Sequence, residues 1–341
     1  MLSPELRVGH ETARVHHTSQ QCGGGRPWPI AARAQQPDRR RLIGVLMGFE
    51  QSDPDARYWL SAFEGALANL GWTEGNNLRI ELRWATNDTD RHRVLAKELV
   101  DLRPDAILSQ TTPVTSALVH ETRNIPIVFV SVADPIASGF AASLARPGGN
   151  VTGFGLFESS MGGKWMELLK EIAPRTTSVS LLFNPATAVP LKIFMPSIQA
   201  AASSFSMQVS TAPVDGKDEI EGVVAAQARN PGGGLIVMPD AFTTANRELI
   251  VTLAAYYSVP AIYNASFFVK SGGLIALGSD FVEQFRQAAG YIDRILKGEK
   301  PADLPVQQTT KVELSINLKT SKALSLTVPL SLLGRADKVI E

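Results

Sequence analysis

The sequence is poor in the residues on which most protein chemistry depends. Among 341 residues there is one cysteine, Cys22, which excludes an internal disulfide and a four-thiolate zinc site. Of five histidines, His10, His16 and His17 fall in the first 41 residues. The other two, His92 and His120, sit on predicted helix surfaces and give poor support to a histidine general base or a His-rich metal site. Neither sign of charge is in excess: 33 Lys plus Arg balance 33 Asp plus Glu. That balance argues against a surface built for nucleic acid or anionic membrane and favours a small, roughly neutral partner. No run of 18 apolar residues exists, so no segment is expected to span a bilayer. There is no G-x-S-x-G elbow, no H-E-x-x-H and no G-x-G-x-x-G after a strand. Gly163-Lys164 fails as a phosphate loop, because Glu158 stands where glycine is required and Trp165 where a hydroxyl is required. Carboxylate catalysis is the one enzymatic chemistry these absences leave open, and no cofactor or metal site is expected.

What is present is enough apolar residue, 44%, for about two domains of ordinary size. Residues 1–41 stand apart: seven arginines against three acids, a Gly23-Gly24-Gly25 run and no hydrophobic period. They predict a disordered leader. Its end, Trp28 to Gln36, carries the small-x-small pattern Ala32-x-Ala34 that a signal peptidase cuts after, without the apolar stretch that should precede it. It reads either as the remnant of an export signal or as a plain disordered arm.

From Leu42 onward, short apolar runs alternate with amphipathic segments, which predicts parallel sheets covered by helices. One series of strands is expected at 42–47, 78–83, 106–109 and 127–131, and a second at 179–183, 208–211, 235–238 and 261–263. Trp59, Leu60, Phe63, Leu67 and Leu70 define one helix face, with Gly71 as its stop. The similar spacing of the two series predicts an α/β fold of two Rossmann-like lobes, each a parallel sheet with helices on both faces, joined by hinge crossings. Arg146 to Gly153, rich in turn formers, is read as one crossing. A strand at 274–277 leading into a helix at 281–296 is read as the return. The expected division is 42–152 plus 279–305 for the first lobe and 153–278 plus 306–341 for the second.

In such sheets ligands lie beyond the carboxyl ends of the strands, which selects the loops that follow them. After the first strand come Phe49 and Gln51, then Tyr58 on the next helix. Thr111 and Thr112 precede Pro113, the pattern of a helix N-terminus that either caps itself or takes a carboxylate. Asp134 follows the fourth strand and either pairs with an ammonium or caps a short helix. The second lobe offers Asn184, Thr187, Asp240, Tyr263 and, after the return crossing, Asp280; Asp240 also suits a helix cap, and Trp59 and Phe268 suit the core. Together these residues describe facing lips that hold a small zwitterion and exclude water on closing.

Several segments resemble the bacterial ABC-transporter substrate-binding proteins of the tryptophan-type group, which have the type I periplasmic binding fold. They are Ile43-Gly44-Val45-Leu46, Ala133-Asp134-Pro135-Ile136-Ala137-Ser138-Gly139, Leu144 to Gly153, Asn184-Pro185, Gly278-Ser279-Asp280 and Asn317 to Leu324. The resemblance implies a monomeric, non-catalytic receptor that captures a small solute, best an amino acid or related carboxylate, and delivers it to an inner-membrane permease. It also implies export to the periplasm, since Trp28 to Gln36 is similar to the end of the family's signals; the departure is the missing twin arginine and apolar core upstream. A two-lobe enzyme or a ligand-sensing module are the alternatives. No DNA-binding segment precedes Leu42, which disfavours a repressor.

Overall fold

A computed structural model of the chain describes residues 40–85, 89–156, 159–188, 191–308 and 311–341. Almost all of the predicted leader, Cys22 included, lies outside the described residues.

The first half runs β1 (Arg41–Met47), α1 (Pro54–Asn69), β2 (Leu78–Trp84), α2 (Thr89–Asp101), β3 (Ala106–Gln110), α3 (Thr112–Glu121), β4 (Ile127–Val132) and β5 (Val151–Gly155). The chain then crosses to α4 (Met161–Ile172), β6 (Ser178–Phe183), α5 (Met195–Ser204), β7 (Gln208–Pro213), α6 (Lys217–Ala228) and β8 (Gly233–Val237). It continues through α7 (Ala241–Ala245), α8 (Arg247–Tyr256), β9 (Ala261–Tyr263), α9 (Ser266–Lys270) and β10 (Ile275–Ser279). After these come α10 (Phe281–Leu296), β11 (Gln307–Gln308), β12 (Val312–Asn317), α11 (Leu318–Ala323), α12 (Leu330–Leu333) and β13 (Lys338–Ile340).

The strands form two sheets, ordered β11-β5-β4-β3-β1-β2 and β13-β12-β10-β9-β8-β6-β7. Leaving out the edge additions, both read 2-1-3-4-5 in their own strand count, so the two predicted lobes are present and share one topology. Residues such as Ile43 to Met47 are buried throughout, as expected of parallel strands covered on both faces. In each sheet the strand order reverses beside the first strand, β1 or β6, and a doubly wound sheet binds its ligand at the carboxyl end of that point.

Local signals account for the helices. Asp53 caps α1 by accepting a hydrogen bond from the Ala56 N–H at 3.0 Å, and Pro54 begins the helix with the one residue that needs no donor there. Trp59, Leu60, Phe63 and Leu67 are buried as predicted, but Leu70 is 42% exposed because it is the C-cap, turned off the stripe. The predicted helix at 281–296 is α10; it packs with α1 on the same face of the first sheet and buries Phe285, Ala288, Ile292, Ile295 and Leu296.

The segment Arg146 to Gly153 differs from expectation. Its second half begins β5, which pairs in parallel with β4 from Ile127↔Val151 to Val132↔Gly155. Gly153 is a strand residue rather than a turn former; its φ is +150°, and a Cβ there would stand 2.1 Å from the Phe129 carbonyl oxygen. Glycine is present because two strands approach too closely for any side chain. The crossing therefore starts after Gly155, and the expected boundary at 152/153 falls inside a strand of the first sheet. The boundary at 305/306 likewise precedes β11, which pairs with β5, so only β12, α11, α12 and β13 of the tail go with the second sheet.

Three crossings thus link the lobes: Leu156 onward, Ser279 to Asp280, and the passage from β11 to β12. They are bonded to one another. The Ser279 hydroxyl donates to the Leu156 carbonyl, the Asp280 N–H donates to the Lys311 carbonyl at 3.3 Å, and Lys311 Nζ pairs with the Asp280 carboxylate at 2.8 Å.

Candidate functional site

A cleft of about 900 Å³ lies between the carboxyl ends of the two sheets. The first lobe lines it with the β1–α1 loop (Gly48, Phe49, Glu50, Ser52, Asp53), the start of α3 (Thr111, Thr112, Pro113) and the loop after β4 (Ser131, Ala133, Asp134). The second lobe contributes Ala186, Thr187, Lys192, Lys217, Asp240, Asn246, Arg247, Asn264 and Phe267, and Leu156 and Phe281 come from the crossings.

The start of α3 has an unusual N-cap. Thr111 stands as N-cap at φ +76°, ψ 155°, a conformation that costs a β-branched residue on the order of 1–3 kcal/mol and persists only where the surroundings enforce it. Its hydroxyl does not cap the helix. The Thr112 hydroxyl accepts from the Ala133 N–H at 3.3 Å, tying the α3 loop to the β4 loop. The self-capping alternative is thus not adopted; Pro113 has no N–H and the Thr115 N–H donates to the Thr111 carbonyl at 3.1 Å, so of the first turn of α3 it is Thr112 that brings a backbone N–H to the cleft. Asp134 takes the capping role: Oδ1 accepts from the Ile136 and Ala137 N–H groups at 3.1 and 2.8 Å, while Oδ2 takes no hydrogen bond among the described residues.

Aromatic rings close one end. Phe49, Phe267 and Phe281 line the cleft, and Trp59 backs them, stacked on Phe281 at 4.8 Å and 20° and edge-on to Phe49 at 5.4 Å. Such pairs contribute about 0.5–1.5 kcal/mol each beyond burial. Trp59 is a core residue, as its alternative reading had it, but it positions the wall.

Five expected ligand residues are placed elsewhere. Gln51 sits in a separate shallow depression with Arg57, Trp84 and Arg91. Tyr58 is 56% exposed on the outer side of α1. Tyr263 is fully buried and stacked on Phe268 at 4.9 Å; burial alone pushes its phenol well above the ordinary range. With only three residues in β9 and both faces buried, the side chain went to the core. Asp280 caps α10 through the Glu283 N–H and pairs with Lys311; burial opposes its ionisation, but those hydrogen bonds win and hold its carboxyl below the usual range. Asn184 is buried, with its side-chain amide donating to the Asp215 carbonyl and accepting from the Ala186 N–H.

Asp240 and Thr187 line the cleft but are spent on each other. The Asp240 carboxylate accepts from the Asn184 N–H at 2.6 Å, from the Thr187 hydroxyl, and from the Phe242 N–H at 2.8 Å. Burial nevertheless raises its pKa, only partly offset by these donors. It is a staple between two loops rather than a free partner for an ammonium.

Sequence reasoning missed Arg247. Its guanidinium pairs with Asp53 at 2.9 Å across the cleft and lies 5.8 Å from the Phe267 ring centre. Lys270 of the second lobe likewise pairs with Asp55 at the start of α1. The first lip carries Glu50, Asp53 and Asp134, and the second carries Lys192, Lys217 and Arg247 together with Asp240 and Glu248. Among the described residues no group of three or more His, Cys, Asp or Glu gathers to hold a metal, and no helix is long and apolar enough to cross a membrane.

Comparisons agree with this geometry. The family described as ABC transporter substrate binding protein matches residues 52–340. A tyrosine-binding protein of Clostridioides difficile is 27% identical over 288 residues, covering 84% of this chain and 82% of that protein. A domain from Streptococcus pneumoniae solved in complex with L-Trp is 25% identical with a TM-score of 0.80, over 88% of this chain and 100% of its own. A ligand-free, open substrate-binding protein with adhesive properties from Clostridium difficile is 25% identical at TM-score 0.68, over 88% of this chain and 99% of its own.

Proposed function

The chain belongs to the ABC transporter substrate-binding protein family, whose fold here is of the type I periplasmic binding kind, and from that premise we propose that it captures an aromatic amino acid outside the cytoplasm and delivers it to an ABC permease. The observation that carries this reading is the pairing, within one cleft, of an aromatic wall with separate sites for the two charges of an amino acid. Phe49, Phe267 and Phe281 receive the ring. The N-terminal end of α3, with the Thr112 N–H and the Thr111 hydroxyl, takes the carboxylate, and the unspent Oδ2 of Asp134 takes the ammonium. The tyrosine- and tryptophan-binding relatives support the same class of ligand.

Closure brings the lips together around the ligand, with Asp53 and Arg247 paired between them, as expected of two lobes joined by crossings. The division of labour follows from this: the first lobe holds the charges, and the second brings Phe267 and Arg247 over the ring. Asp240 keeps the second lip in shape.

Calorimetry against the twenty amino acids, with sugars and nucleosides as controls, tests the reading. Tyrosine, tryptophan or phenylalanine should bind one to one, and mass spectrometry of the recovered ligand should find it unchanged. Binding confined to sugars or nucleosides, or turnover of the ligand, would refute it.

A further inference from the structure

Among the described residues Gln110 stands out for a burial that its bonding does not explain. It ends β3, its side chain is fully buried, and neither its amide oxygen nor its amide nitrogen has a hydrogen-bond partner among the described residues. Buried polar groups without partners are rare, because each forfeits its hydration and receives nothing back. A leucine or methionine here would join the apolar cluster at no such cost, so the amide needs a use.

Its position gives one. Alternation along β3 puts Gln110 on the same face as Leu108, and the register sets it beside Val130 of β4. Leu108, Val130, Trp59 and Phe285 belong to one core cluster, against which the cleft-lining Phe49 and Phe281 pack. Gln110 therefore lies behind the aromatic end of the cleft. It is also one step from the cleft along the backbone: Thr111 lines it, and Gly48, which lines it too, comes so close that a Cβ there would meet the Gln110 carbonyl oxygen at 3.2 Å. The next strand shows what a satisfied polar group looks like at this level. Ser131 donates its N–H to Gln284 at 3.1 Å, and Gln284 in turn donates to the Gly155 carbonyl at 3.2 Å. Gln110 stays outside that network.

We propose that Gln110 selects among aromatic amino acids by hydrogen-bonding the polar atom of the ligand's ring, a phenol hydroxyl or an indole N–H, once the half-buried Phe49 turns aside to admit it. This rests on the reading of the cleft as an aromatic amino-acid site. An amide both donates and accepts, so it serves either ring. A ring lacking the polar atom leaves the amide unpaired, which is how a site discriminates against an analogue that fills the same space.

The test compares tyrosine with phenylalanine, and tryptophan with 1-methyltryptophan, by calorimetry on the wild-type chain and on Gln110→Met, whose unbranched side chain fills a similar volume. The wild type should prefer the ligand with the ring donor at least tenfold in each pair. Gln110→Met should bring both ratios to within about twofold of one while leaving phenylalanine affinity within about threefold of wild type. Ratios near one in the wild type overturn the proposal without need of any variant. So do ratios that survive Gln110→Met, which would mean that the amide is satisfied by a buried water and has no part in selection. If no aromatic amino acid binds the wild type, the functional reading itself fails, and that outcome is separate from the other two.

Discussion

Replacing Asp53 by asparagine tests whether the lips are held together by charge. The variant keeps a side-chain oxygen for the Ala56 N–H, so α1 retains its cap, but Arg247 loses its counter-ion. An exposed pair is worth about 0.2–1 kcal/mol, and breaking a fully buried one costs about 3–5 kcal/mol. The Asp53 and Arg247 side chains are 9% and 16% exposed, and Phe267 retains part of the cation's attraction, so about 2 kcal/mol is the expected loss. Because Asp53 is on the first lobe and Arg247 on the second, that loss falls on closure rather than on either lobe's own folding. It should appear as ligand affinity weakened about thirtyfold, with little change in thermal stability of the unliganded protein. The assay is a double-mutant cycle of Asp53→Asn and Arg247→Met by calorimetry. The double variant should bind no more weakly than the worse single one, and raising salt should weaken wild-type binding but not that of the variants. Additive losses, or Asp53→Asn binding as tightly as wild type, would refute the latch.

Other outcomes follow from the same geometry. Asp134→Asn, which keeps Oδ1 for the Ile136 and Ala137 N–H groups, should weaken amino-acid binding by about 2 kcal/mol while leaving stability within about 0.5 kcal/mol, as read by calorimetry and thermal melts. Asp240 has a folded pKa raised above its ordinary value near 3.8, so the folded state holds its proton more tightly than the unfolded. Its contribution to stability is full below that ordinary value and is lost as pH rises through the folded value; Asp280, lowered, contributes the opposite slope, lost on acidification through its own depressed value. Denaturation of Asp240→Asn between pH 4 and 7 should therefore show a stability less favoured by acid than wild type, and identical slopes would sink that assignment. Gly153→Ala should destabilise by about 3 kcal/mol or more in urea, since the Phe129 backbone must move to admit the methyl group.

The sheets were legible because parallel strands buried on both faces leave nearly unbroken apolar runs, as in 42–47 and 127–131, and because the same order recurs in both lobes. β5 was not, since the glycines that let it approach β4 look the same in sequence as glycines that turn a chain. The cleft was found by topology, which directs attention to strand ends, and Phe49, Thr111, Thr112, Asp134, Thr187 and Asp240 do line it. Which of their polar atoms remain free was not legible. Asp240 meets Asn184 and Thr187 only after folding, and Asp53 meets Arg247 from another lobe. Tyr263 and Asp280 share the chain position of ligand residues but face the core and the crossings. Gln110 escaped notice because nothing in a strand pattern distinguishes an amide with a partner from one without.

The bonding among the three crossings fixes more than the distance between the lobes. Ser279 tied to Leu156 and Asp280 tied to Lys311 hold the crossings to one another at these residues. Closure about crossings tied in this way is expected to be one hinge motion, which would bring the two outer rims to a similar mutual position whichever ligand fills the cleft. A permease that touches both rims at once can recognise the loaded state by that spacing alone, without contact with the ligand inside.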